Sequence, residues 1–294
     1  MAGRKSIGFI GTGVMGKSMA GHLMQAGHEL FVYNRTKEKA KVLVEKGAVW
    51  CDTVGELAER SDVVITIVGY PTDVEEVYFK EGGILDRARS GTYVIDMTTS
   101  SPMLAQKIGN EAKKKGIFAL DAPVSGGDIG AKTAKLAIMV GGEEDAFEDM
   151  QPIFSLMGTN IRRLGSHGAG QYTKMANQIA IASNMMGVAE AMAYAKKAGL
   201  DQKAVLETIE TGAAGSFSLS KLAPRMIDGD FEPGFYIKHF IKDMNIALTS
   251  AEEMGLKTPG LELAKKLYEE LVERGEENSG TQALYKYYEV TGTL

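Results

Sequence analysis

Gly11, Gly13 and Gly16 stand as G-x-G-x-x-G directly after the apolar residues 7–10, in the stretch SIGFIGTGVMGKSMAGHL. Each glycine has its own physical job. Gly11 permits a tight turn, Gly13 lets backbone approach a pyrophosphate, and Gly16 lets a helix pack closely on a strand. A helix beginning near Val14 turns free N–H groups and its positive dipole end toward phosphate oxygens. With Thr12, Val14 and Met15 between them, these glycines make a grip for a dinucleotide. Glycines alone are weak evidence, but a strand before them and a helix after make the spacing specific.

Which dinucleotide depends on the end of the next strand, where an acidic residue about 20 positions past the glycines receives the ribose hydroxyls of NAD. Here that strand, ELFVYN, ends in Asn34, Arg35 and Thr36. No carboxylate stands there to repel a 2′-phosphate. Arg35 can pair with one, and Asn34 and Thr36 can hydrogen-bond to it. The pattern predicts NADP(H) in preference to NAD(H). Against it, Arg35 could cover the adenine of either cofactor, and Thr36 could simply cap a helix.

Two further stretches place polar residues in apolar surroundings: DAPVSGG at 121–127 and GSHGAGQYTKMANQ at 165–178. Ser125, Gly126 and Gly127 can offer a hydroxyl and bare N–H groups to a carboxylate, although a strand-end turn would use the same residues. Lys174, Asn177 and Gln178 lie at i, i+3 and i+4, so one helix face carries an ammonium and two amides. A lysine in a helix that otherwise looks buried must be paired, deprotonated or functional.

The elements that position these residues follow from the hydrophobic pattern. From residue 6 to about 115, β-rich runs alternate with amphipathic stretches, as in βαβ units around a parallel sheet. Strands are read at 6–11, 29–34, 48–51, 63–68 and 92–97, then at 118–124, 136–140 and 161–164, with a helix over 143–157. The run VVITIV after Asp62 is apolar enough for a strand buried on both faces. After Gly165 the texture changes. Residues 171–198 read as one long helix, apolar nearly all round, that belongs between domains or in a subunit interface. Further helices are read at 201–212, 215–228, 236–255, 258–273 and 279–290. The expected fold is α/β: a doubly wound Rossmann sheet over 1–165, and an all-helical domain over 166–294 for substrate and oligomer contacts, joined by the long helix.

Composition sets the outer limits. With 294 residues, 44% apolar and 24% charged, the chain suits two soluble globular domains. A net charge of −5 argues against nucleic acid as a partner. The lone Cys51 allows no internal disulfide and fits a reducing, cytoplasmic compartment. The four histidines show no metal-ligand spacing, so no metal is expected. Arg4 and Lys5 precede an apolar run that ends at Gly11, too short for a signal peptide, and no uninterrupted run of about 18 apolar residues exists to cross a membrane.

Taken together, GFIGTGVMG at 8–16, DAPVSGG at 121–127, GAGQYTKMANQ at 168–178 and FEPGFYIKHFIKDMNIAL at 231–248 resemble the β-hydroxyacid dehydrogenase family. This is the group of 3-hydroxyisobutyrate dehydrogenase, tartronate semialdehyde reductase and glyoxylate/succinic semialdehyde reductase. The resemblance spans essentially the whole chain. It implies that Lys174 is catalytic, that Ser125, Gly126 and Gly127 hold a substrate carboxylate, and that Asn177 or Gln178 orients the substrate. It also implies that Lys242, Val68, Gly69 and Thr99 lie toward the nicotinamide end, and that the protein is a homodimer or homotetramer. Hydride transfer between nicotinamide and a carbinol carbon needs a proton donor or acceptor at the oxygen, which Lys174 can supply if burial or Lys242 lowers its pKa. The related 6-phosphogluconate dehydrogenases carry an acid where Ile181 stands here, and imine reductases generally lack the lysine. A redox sensor that binds NADP(H) without turnover is the non-enzymatic alternative, and an imine-reductase-like enzyme the other.

Overall fold

The computed structural model describes residues 3–291. Contacts divide the chain into two compact units, one ending at Lys174 and the other beginning at Met175. The division falls inside the helix Ala169–Lys197, nine residues later than the boundary read from composition.

The first unit contains β1 (Ser6–Ile10), β2 (Glu29–Tyr33), β3 (Val49–Trp50), β4 (Val63–Thr66), β5 (Tyr93–Asp96), β6 (Phe118–Asp121), β7 (Val124–Ser125), β8 (Leu136–Gly142) and β9 (Gly158–Gly165). They form one sheet in the order β3-β2-β1-β4-β5-β6-β8-β7, with β9 paired to β8. The first six are parallel. From β1 the chain winds outward to β3, and from β4 outward to β6. The loops after β1 and β4 therefore diverge at a topological switch point, where open α/β sheets bind ligands.

Alternation explains the burial on both faces. Ile7, Phe9, Val63 and Ile65 pack with Met19, Leu23, Ile153 and Phe154 on one side. Ile10 and Val64 pack with Leu57, Val74, Tyr78 and Ile108 on the other. The run read as a single strand over 118–124 is in fact two. Pro123 has no N–H to give a ladder, and the chain turns there so that β7 pairs antiparallel with β8.

The second unit is helical, with Gln202–Ile209, Ala223–Ile227, Ile237–Glu253, Pro259–Glu273 and Tyr285–Thr291 around Met185, Met192, Phe240, Met244, Tyr268 and Leu284. The helix expected over 215–228 is broken: a wide π turn, Ser218–Leu222, precedes Ala223–Ile227, because Pro224 cannot donate a helical hydrogen bond. Within the chain the long helix is not buried all round. It leaves Ala176, Ala180, Ser183, Gly187, Glu190 and Tyr194 exposed along one stripe. Among the described residues no helix is long and apolar enough to cross a membrane.

Candidate active site

The chain leaves β1 at Gly11, where φ is +98° and an added Cβ would lie 2.0 Å from the Ile67 carbonyl oxygen. Gly16 opens the helix Gly16–Gln25, and a Cβ there would lie 1.9 Å from the Gly11 oxygen. Gly13 differs, since its Cβ would meet nothing within 4 Å. The fold itself demands glycine at 11 and 16, whereas position 13 keeps space clear before the helix start. Thr12, buried between them, has a hydroxyl with no partner among the described residues, and Val14 is half exposed. An open backbone, a spare hydroxyl and a helix start at the switch point fit the pyrophosphate of a dinucleotide. Met15 precedes the helix as its cap residue.

Asn34 ties this turn to the end of β2. Its Oδ1 accepts the Thr12 N–H at 2.9 Å and its Nδ2 donates to the Thr36 carbonyl at 2.8 Å. The amide expected to face a phosphate is thus engaged in shaping the loop. Thr36 precedes the 3-10 turn Lys37–Ala40, but its hydroxyl makes no capping bond. The Arg35 side chain is 85% exposed, with Nη1 3.3 Å from Asp73 Oδ1. Asp73 also accepts the Tyr70 N–H at 3.0 Å where the helix Pro71–Phe79 begins. Asp73 reaches Arg35 from 38 residues away in the chain, so no local pattern shows the pair.

After β4, the Val68 N–H donates to Thr98 Oγ1 at 3.0 Å, and a Cβ on Gly69 would sit 3.0 Å from Asp73 Oδ2. Beneath them Asp96 accepts from Thr66 Oγ1 at 2.8 Å and from the Thr98 N–H at 3.1 Å. Burial pushes the Asp96 carboxyl up to about 6, against the opposing pull of those bonds. Thr99 stands between Thr98 and Ser100, a buried pair of residues on the loop after β5.

Asp121, at the end of β6, explains why two distant motifs go together. Its oxygens accept the Gly168 N–H at 2.7 Å and the Gln171 N–H at 2.9 Å, capping the long helix where the dipole favours a negative charge. Burial raises its pKa and the two N–H groups oppose the rise. Gly170 must be glycine, since a Cβ would lie 2.3 Å from the Met139 oxygen and 2.8 Å from Asp121 Oδ2. One turn on, Lys174 is 7% exposed and donates from Nζ to the Val124 carbonyl at 2.9 Å. That carbonyl adjoins Ser125, Gly126 and Gly127, so the ammonium is brought to the three residues read as a carboxylate grip. Gly126 and Gly127 both have positive φ, +130° and +61°, which only glycine adopts readily.

In the helical unit, Asn177 Nδ2 donates to Gln178 Oε1 at 2.7 Å, and Gln178 Nε2 donates to Asp243 Oδ2 at 2.7 Å. Lys242 Nζ lies 2.9 Å from the other Asp243 oxygen. Three residues picked from sequence are thereby linked through one that was missed. Asp243 was legible in principle: it is an acid on the buried face Ile237, Phe240, Met244, Ala247. Asp121 was legible in the same way, as a carboxylate ending an apolar strand. Cys51 is buried after β3, and burial pushes its thiol up to about 11, which removes it as a nucleophile near neutral pH.

Residues 6–165 match the family described as the NAD-binding domain of 6-phosphogluconate dehydrogenase. Residues 168–288 match the one described as the NAD-binding of NADP-dependent 3-hydroxyisobutyrate dehydrogenase. The chain belongs to the β-hydroxyacid dehydrogenase family. This β-hydroxyacid dehydrogenase is 65% identical to the uncharacterized oxidoreductase YkwC of Bacillus subtilis, over 97% of its own length and 99% of the relative's. It is 39% identical to 2-hydroxy-3-oxopropionate reductase of Escherichia coli, covering 97% of each chain. It superposes on the Mycobacterium tuberculosis 3-hydroxyisobutyrate dehydrogenase solved with L-serine at a TM-score of 0.89 and 29% identity, over 96% of this chain and 98% of that one. It is an oxidoreductase with a nicotinamide cofactor, and its fold is the expected α/β sheet with a helical C-terminal part.

Proposed function

We propose that this β-hydroxyacid dehydrogenase interconverts a short semialdehyde and its β-hydroxyacid with NADP(H), using Lys174 as the proton donor and acceptor. The observation that carries the reading is the Lys174 ammonium held 2.9 Å from the carbonyl of Val124, beside Ser125, Gly126 and Gly127. The bound nicotinamide supplies or takes up the hydride. Lys174 gives its proton to the aldehyde oxygen as charge develops there, and the amine removes the alcohol proton in the reverse direction. Ser125 and the N–H groups of Gly126 and Gly127 hold the carboxylate, while Asn177 and Gln178 orient the chain of the acid. The turn from Gly11 to Gly16 holds the pyrophosphate, and Val68, Gly69, Thr99 and Lys242 line the nicotinamide end. Arg35 meets the 2′-phosphate. Its exposed side chain, in a surface ion pair with Asp73 that is worth little in water, can turn toward that group at little cost.

The substrate class follows the relatives: 2-hydroxy-3-oxopropionate, the tartronate semialdehyde, for the Escherichia coli enzyme, and 3-hydroxyisobutyrate for the mycobacterial one. Lys174→Ala should keep NADPH binding while kcat drops by the roughly 10² to 10⁴ of a lost general acid. Lys174→Arg should fail nearly as badly, since a guanidinium holds its proton near neutral pH. The test is kcat with NADPH across glyoxylate and succinic, methylmalonate and tartronate semialdehydes, beside a fluorescence titration of NADPH. A folded Lys174→Ala protein within about fivefold of the parent sinks the assignment. Tight NADPH binding without turnover of any of the four points to a sensor instead.

A further inference from the structure

Gln171 lies within the first turn of the long helix and is 0% exposed. All its polar groups are engaged. Its N–H donates to Asp121 Oδ2 at 2.9 Å, its Oε1 accepts the Ser100 N–H at 2.9 Å, and its Nε2 donates to the Thr98 carbonyl at 2.7 Å. The side chain therefore grips the backbone on both sides of Thr99, while the main chain is pinned from β6. Thr98 continues the connection, through its hydroxyl to the Val68 N–H and through its own N–H to Asp96. On the helix, Gln171 and Lys174 are three residues apart and so share a face.

We propose that Gln171 is a positioning residue that fixes the Thr99 loop and Lys174 in one register, so that the ammonium meets the reacting oxygen. The inference rests on the assignment of Lys174 above. A planar amide held at both ends resists sliding and rotation of the helix start, which a hydrophobic contact alone would allow. Displacing a catalytic group by about 1 Å can cost on the order of 10²-fold in rate, so the demand on this amide is for placement rather than for stability.

Two variants test it in the full-length enzyme saturated with NADPH. Gln171→Met keeps the length and volume and removes both side-chain bonds. It should bind NADPH within about threefold of the parent, lose about tenfold to a hundredfold in kcat, and show a larger solvent deuterium isotope effect as proton delivery slows. Gln171→Glu keeps the acceptor for Ser100 and sets an oxygen against the Thr98 carbonyl until it is protonated. The nearby carboxylates of Asp121 and Asp96, and the carbonyl itself, favour the protonated form, while the Lys174 ammonium opposes it. Its kcat relative to the parent should therefore recover as pH is lowered from about 8 to about 6.

Parental kcat in Gln171→Met overturns the inference. So does a loss in both variants that ignores pH and merely tracks weaker NADPH binding or a lower melting temperature. Failure of both chains to fold marks a structural residue and overturns it too. Lys174→Ala, run alongside, separates the two readings. If it retains parental kcat the catalytic assignment falls, whereas an inactive Lys174→Ala beside a fully active Gln171→Met removes only the role of Gln171.

Discussion

Arg35 adds little to the folded state, because an exposed ion pair to Asp73 is worth about 0 to 1 kcal/mol and is screened by salt. Its removal should be felt by the cofactor instead. Arg35→Ala should weaken NADPH by about tenfold to a hundredfold, the scale of a charge-assisted bond of roughly 1.5 to 3 kcal/mol, and leave NADH nearly unchanged. The comparison of kcat/KM for the two cofactors checks this, and equal values in the parent would remove the premise. Asp96 is the opposite case, a buried acid whose effect is on stability. Its carboxyl rises from 3.8 to about 6 on folding. Below the ordinary value both states carry the proton; between that value and about 6 only the folded chain does. Stability thus declines as pH rises through this window, by roughly 3 kcal/mol for two units, and is level above it. Asp96→Asn keeps an acceptor for Thr66 and Thr98 without the charge. Urea melts should show its stability relative to the parent improving between about pH 4 and pH 7, and a difference that stays constant across that range would contradict the assignment.

At the scale of elements, the glycine turn separates what the fold requires from what a ligand requires. Gly16→Ala drives a Cβ to 1.9 Å from the Gly11 oxygen, so the helix Gly16–Gln25 must shift off β1. Gly13→Ala meets nothing within 4 Å. The expected result is a Gly16→Ala protein less stable by about 1 to 3 kcal/mol or more, and a Gly13→Ala protein that melts with the parent but binds NADPH poorly. Paired melting curves and NADPH titrations check it; a Gly13→Ala protein with parental affinity would show that no phosphate approaches there. The strands around this turn were legible because runs such as VVITIV are apolar on both faces. The breaks at Pro123 and Pro224 were less so. A proline signals where a ladder or helix bond is lost, but not whether the chain resumes in the same element or in a new one.

For the molecule as a whole, the motifs pointed to candidate residues while the hydrogen bonds that connect them stayed hidden. Lys174, Ser125 and the glycines were singled out by residue type and spacing. Asp121 and Gln171 act through partners about 50 and 70 residues away, and no local pattern announces such a pairing. Surface is similar: the long helix read as apolar all round, yet its stripe Ala176, Ala180, Ser183, Gly187 is open in the single chain. In the same unit Tyr194 and Phe217 are 75% and 73% exposed, and Met254, Leu256 and Leu263 are also uncovered. Small residues along a helix allow a second backbone close approach, and large apolar side chains left in water favour association. We expect a homodimer or homotetramer built on the helical unit. Light scattering at micromolar concentration should give a mass at least twice the 31.6 kDa chain. Replacing Tyr194 and Phe217 by charged residues should lower that mass without unfolding the first unit, whose core contains neither side chain. A parent protein that runs as a monomer, with these two side chains in water, would rule out this assembly.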